Sequence, residues 1–88
     1  MINPKYVNGM ISMGNLLFES GNAQNAIKYF EQALAYNPNE IQALIGVANA
    51  CYENQEVQRS IDYYKRVIKI DPEIADVYYN LANALYIQ

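Results

Sequence analysis

The stretch PNEIQALIGVANACYENQEVQRSIDYYKRVIKIDP, residues 38–72, decides the fold. It runs from one proline to the next, and the sequence before it repeats its pattern. Pro4, Pro38 and Pro72 stand 34 residues apart, each in the same setting: Ile2-Asn3-Pro4, Tyr36-Asn37-Pro38 and Ile70-Asp71-Pro72. A fixed period of about 34 marks a stacked helix–turn–helix array.

Within the stretch, Leu44, Val47, Ala48 and Cys51 recur at helical steps and predict a helix over 39–53. Asn37 with Glu40 predicts a capping box at its start. The turn Asn54-Gln55-Glu56 lacks glycine, and Asn54 is its residue most tolerant of positive φ. Val57, Ile61, Tyr64, Val67 and Ile68 then form the apolar face of a helix over 57–70. Arg59, Asp62, Lys65, Arg66 and Lys69 decorate its outside as a solvated face, with Asp62 and Arg66 spaced to pair.

Working outward, the preceding copy predicts helices over 5–20 and 23–36, with Asn3 as a cap and Pro4 at the first helical position. Gly21 stops the first of them and Asn22 caps the second. After Asp71-Pro72 a fifth helix is expected over 73–87. Residues 1–6 read as the tail of a preceding unit, 7–40 and 41–74 as two full repeats, and 75–88 as the first helix of a third. This pattern reads as a segment of a longer array; a natural short chain, or a designed array capped by its last helix, are the alternatives. Two units and a helix fall just short of the three repeats such arrays usually need, so modest stability is expected.

Composition narrows the function. The chain has 88 residues, a net charge of −3, one cysteine and no histidine. The mild acidity gives no footprint for nucleic acid or an anionic membrane. No apolar run is long enough for a membrane span, and the first residues given lack the basic start and apolar core of a signal peptide. With Cys51 unable to form an internal disulfide, a cytoplasmic setting is expected. Without histidine, a nucleophile–base arrangement or a glycine-rich phosphate loop, no enzyme, metal site or cofactor is expected.

Small and large residues also repeat. The copies read Met10-x₂-Met13-Gly14-x₂-Leu17, Ala26-x₃-Phe30 and Pro38, then Leu44-x₂-Val47-Ala48-x₂-Cys51, Ser60-x₃-Tyr64 and Pro72, then Tyr78-x₂-Leu81-Ala82-x₂-Leu85. Gly14, Ala48 and Ala82 are small where one helix must approach another, as are Ala26 and Ser60 on the facing helix. Phe30 and Tyr64 fill the gap between units. This pattern resembles the tetratricopeptide repeat (TPR), W-x₂-L-G-x₂-Y, A-x₃-F and P. The resemblance covers nearly the whole chain.

The resemblance implies an all-α fold, with antiparallel helix pairs stacked as a right-handed α-solenoid. It also implies a protein–protein interaction scaffold that holds a peptide or helix in a concave groove lined by the first helix of each repeat. The residues it would point into the groove are Asn8, Ile11, Asn15, Phe18 and Glu19, then Gln42, Ile45, Asn49, Tyr52 and Glu53, then Asp76, Tyr79, Asn83, Tyr86 and Ile87. Asn15, Asn49 and Asn83 form an amide ladder that either grips a peptide backbone or braces neighbouring helices. Phe18, Tyr52 and Tyr86 form an aromatic ladder that serves contact or inter-helix packing.

Some family members bind acidic chaperone C-terminal tails through Lys, Asn and Arg. Here Asn15 fits, but Ile11, Gly46, Asp76 and Asn80 stand where Lys, Asn, Lys and Arg would be needed. The groove is therefore expected to favour apolar or basic partners and to refuse such a tail. Homo-oligomerisation through the open ends of the solenoid is the alternative to a groove binder.

Overall fold

The computed structural model describes residues 4–87, with side chains from residue 6 onward. The expected cap Asn3 lies outside the described residues. Five helices follow one another: α1 (Pro4–Glu19), α2 (Ala23–Tyr36), α3 (Ile41–Glu53), α4 (Val57–Ile70) and α5 (Ala75–Ile87). Each packs on the next, and α1 also lies against α3. No strand is present among the described residues.

The core runs between the helices as one cluster, with Phe30, Leu44, Val47, Cys51, Val67 and Val77 buried in it. The second helix of each pair is strictly two-faced. On α4, Ser60, Ile61, Tyr64 and Val67 are buried, while Asp62, Lys65, Arg66 and Lys69 are exposed. Burying one stripe of each helix against its neighbours is the main source of helical stability in such a short chain.

Phe30 fixes the spacing of the stack. Its ring is fully buried. A Cβ at Gly14 would lie 2.7 Å from ring atom Cε1, and one at Gly46 would lie closer still. Glycine on α1 and on α3 thus opens a slot for the same ring from two sides. The repeat pattern anticipates the small residue at Gly14; the one at Gly46 is a finding of the structure.

The two turns between paired helices share one geometry. Gly21 has φ 84° and Gln55 has φ 65°. Around Gly21, Asn22 N donates to Leu17 O at 2.8 Å and Gly21 N to Phe18 O at 3.0 Å. Around Gln55, Glu56 N donates to Cys51 O at 2.8 Å and Gln55 N to Tyr52 O at 3.1 Å. Both are Schellman closures, which need one left-handed residue. That residue is Gln55, not Asn54 as expected, because the bonds fix the position one helical turn past Tyr52. Asn22 caps α2 as expected, accepting from Asn25 N at 3.3 Å.

The proline turns differ from expectation. Asn37 does not cap α3: its own N–H donates to Ala33 O, so it closes α2, and α3 starts at Ile41. Asn37 and Glu40 meet side chain to side chain, Nδ2 donating to Oε2 at 3.4 Å. Asp71 likewise closes α4, and α5 starts at Ala75. A turn intervenes before each next helix: Glu40 N donates to Asn37 O at 3.1 Å, and Glu73 N to Asp71 Oδ1 at 3.1 Å. Asn37 and Asp71 both have φ −141°.

The second helices are joined on their outer side by arginine. Arg59 donates to Glu31 of α2 and, at 2.8 Å, to Glu56. The bond from Arg59 to Glu56, with one from Asn54, holds the Glu56 carboxyl below the usual carboxylate range. The expected Asp62–Arg66 pair does not form. Arg66 instead donates to Pro38 O at 3.1 Å and lies over the Tyr63 ring.

Two features weaken the second repeat. Gln55 in the left-handed region costs roughly 1–2 kcal/mol against glycine. Ser60 Oγ is buried without a partner where the first repeat has Ala26, and an orphaned hydroxyl costs about 1–3 kcal/mol.

The glycines give opposite expectations. Gly9 has open space where a Cβ would go. Gly9→Ala should therefore stabilise by roughly 0.5–1 kcal/mol through helix propensity. Gly46→Ala gains the same propensity but drives a methyl into an immovable ring, and should destabilise by about 1–3 kcal/mol. Urea denaturation of the two variants reads the difference in sign.

Candidate functional site

The first helices α1, α3 and α5 present a cleft. A space of about 240 Å³ is lined by Phe18 of α1, Asn49, Tyr52 and Glu53 of α3, Asn80 and Asn83 of α5, and Tyr64. A second space of about 550 Å³ adjoins it, bounded by Phe18, Glu19, Asn22, Glu53 and Asn54. Phe18 and Glu53 line both, so the two form one surface along the C-terminal ends of α1 and α3.

Tyr64 forms the floor. The ring is buried and its hydroxyl donates to Asn49 Oδ1. Asn80 Nδ2 approaches the same oxygen at 3.5 Å. Burial pushes the Tyr64 phenol up to about 12, so it remains a donor through the physiological range. Three helices thus meet on one amide oxygen.

This arrangement is the polar counterpart of the Phe30 slot. One repeat step carries Phe30 to Tyr64 and Gly46 to Asn80. Where the first interface is apolar and notched by glycine, the second is hydrogen-bonded.

The expected site residues separate into groups. Phe18, Asn49, Tyr52 and Asn83 come together around the smaller space. Asn8, Asn15, Gln42 and Asp76 are exposed. Tyr79 and Tyr86 are strongly exposed, at 70% and 89%. Ile45 is half-buried against the core, and Ile11 is a correction: it is 9% exposed and belongs to the core cluster. Positions 11, 45 and 79 share one register, and burial falls along it. Asn49 is occupied as a brace between helices, whereas Asn15 and Asn83 are exposed.

Tyr64 lines the cleft although the sequence pattern does not place it there, and Asn80, at a groove position of the chaperone-binding pattern, lines it as a brace. Their signal is the paired departure from Phe30 and Gly46 at the repeat step. Cys51 is fully buried and desolvation pushes its thiol up to about 11, which leaves it an unreactive core residue. Among the described residues no group of three acidic, histidine or cysteine side chains could hold a metal, and no helix is long and apolar enough to cross a membrane.

Tyr64→Phe should lower the unfolding free energy by about 1 kcal/mol, the usual worth of such a bond. In an Asn49→Ala background the same change should cost measurably less. A double-mutant cycle in urea checks the coupling.

No curated protein matches the chain. Family profiles do. One for the tetratricopeptide repeat matches residues 11–73, and a second of the same description matches residues 63–88. With paired helices in 34-residue register, a ring buried at each unit boundary and profile matches over most of its length, the chain belongs to the tetratricopeptide repeat family.

Proposed function

We propose that this chain is a binding module that holds an extended peptide or helix of a protein partner in the cleft between α1, α3 and α5. Repeats of this family generally mediate protein–protein interactions and are typically non-catalytic. The observation that carries the reading is the surface itself. Phe18 and Tyr52 stand half-exposed beside the exposed amides of Asn15 and Asn83, with Tyr86 standing free on α5. Aromatic rings supply contact area at low entropic cost, and amides satisfy a peptide backbone in either polarity. No basic cluster lines the cleft to hold an acidic chaperone tail.

Panning the chain against a displayed random-peptide library tests the proposal. Selected peptides should shift the amide resonances of Phe18, Tyr52 and Asn83. Tyr52→Ala and Tyr86→Ala should each weaken them by about tenfold, the size of a moderate hot spot. Peptides whose shifts map to α2 and α4 instead would overturn the cleft as the site.

A second reading has its own observation. On α5, Tyr78 and Leu85 are 44% and 48% exposed, and on α1 Met13 and Leu16 are 40% and 58% exposed. Apolar faces on the first and last helices suit head-to-tail association of copies. Light scattering at rising concentration should then show growing mass that Leu85→Lys suppresses. A constant monomer mass refutes this reading and leaves the cleft untouched.

A further inference from the structure

Charge is sorted between the two sets of helices. Every cation with a described side chain (Lys28, Arg59, Lys65, Arg66 and Lys69) stands on α2 or α4. Helices α3 and α5 carry neither lysine nor arginine, and α1 has only Lys5, at its opposite end from the cleft. The acids divide as well. Glu31 and Glu56 are both paired with Arg59. Glu19 and Glu53 are exposed and form no ion pair among the described residues.

Their position makes this unusual. Glu19 and Glu53 end α1 and α3, one repeat step apart, and neither helix has a basic residue in its last turn. A carboxylate there faces the negative end of the helix macrodipole. Both residues therefore break a local rule in the same way, and among the described residues neither is held by an ion pair or by a basic residue in its own last turn. Departures of this kind gather at functional sites.

The two carboxylates line the same 550 Å³ space, with Phe18 beside them. Glu53 and Phe18 continue into the smaller space, where Tyr52 adds a second ring. An aromatic face beside a carboxylate is the environment that accepts a guanidinium or ammonium group. The ring quadrupole and the anion both attract it, while the side chain's apolar stem lies along the ring.

The geometry points to a cation subsite at the C-terminal ends of α1 and α3 that takes an arginine or lysine side chain of a basic peptide segment. Glu19 and Glu53 hold the charge, Phe18 and Tyr52 cover the stem, and residues flanking the cation lie along the smaller space. This rests on the reading of the cleft as the binding surface and adds the chemical class of the partner. A polyanion is repelled from the same edge.

Fluorescence anisotropy with the whole chain tests it. The probes are a labelled peptide alternating arginine with aromatic residues, the same peptide with citrulline for arginine, and a glutamate version. The arginine peptide should bind and weaken steeply with salt, and the other two should bind at least about tenfold more weakly. Glu19→Gln with Glu53→Gln should reduce arginine-peptide binding by a similar factor while leaving thermal stability equal or higher, since both changes relieve the clash with the dipole. That rise separates lost binding from lost folding. Asp62→Asn with Glu73→Gln removes the same charge elsewhere and should leave binding unchanged.

Equal binding of the arginine and citrulline peptides, or an unaltered affinity in the double glutamine variant, overturns the subsite. If library-selected neutral peptides still map to Phe18, Tyr52 and Asn83, the cleft survives and only its cation preference fails. If the arginine peptide and the library-selected peptides all map to α2 and α4, both readings fail together.

Discussion

The stack depends on one ring. Phe30 reaches from α2 into a slot that exists only because Gly14 and Gly46 carry no side chain. Protein interiors are packed densely enough that a single misplaced methyl is felt. The ring therefore sets how near α1 and α3 stand to α2, and so the pitch at which the first repeat hands over to the second. Everything on the cleft side inherits that spacing, because Phe18 and Glu53 can share a surface only while α1 and α3 lie side by side.

The next boundary solves the same problem with different chemistry. Tyr64 takes the place of Phe30, but its hydroxyl must be satisfied once buried. Asn49 accepts it, and Asn80 approaches the same oxygen where the first boundary has Gly46. The two solutions trade differently. The apolar slot tolerates no added volume, whereas the polar one demands correct geometry and places amides at the floor of the cleft. Arg59 ties α4 to α2 through Glu31, and Arg66 ties α4 to the turn before α3 through Pro38 O. The cations with described side chains all stand on α2 and α4, while Glu19 and Glu53 line the cleft.

Much of this was legible in the sequence, because the repeat compares each position with itself. The bounds of α2 and α4, the small residue at Gly14 and the filling role of Phe30 and Tyr64 all follow from residues that recur at a step of 34. The failures have physical causes. The starts of α3 and α5 lie later than the pattern predicts because Asn37 and Asp71 donate back to Ala33 O and Val67 O, and a turn follows each before the next helix begins. Gln55 was missed as the left-handed residue because propensity favoured Asn54, although the register of Gly21 pointed to it. The family resemblance points Ile11 into the groove, whereas its burial depends on a neighbour that a single helix does not reveal. The brace at Asn49 was one of two readings of an identical ladder; only the hydroxyl on Tyr64 distinguishes it from Asn15.

Cys51 has one further consequence. It is the sole thiol, fully enclosed, and its electrostatic neighbours are Arg59 and Glu56 of the α4 side and Glu31 of α2. It therefore lies near the junction of three helices and both repeats. A thiol-specific reagent reaches it only when that junction parts, so the labelling rate is a clock for local opening that requires no engineered probe. Because the Arg59 staple spans the same junction, the clock reads how firmly neighbouring repeats are latched. It can be timed with the cleft empty or filled.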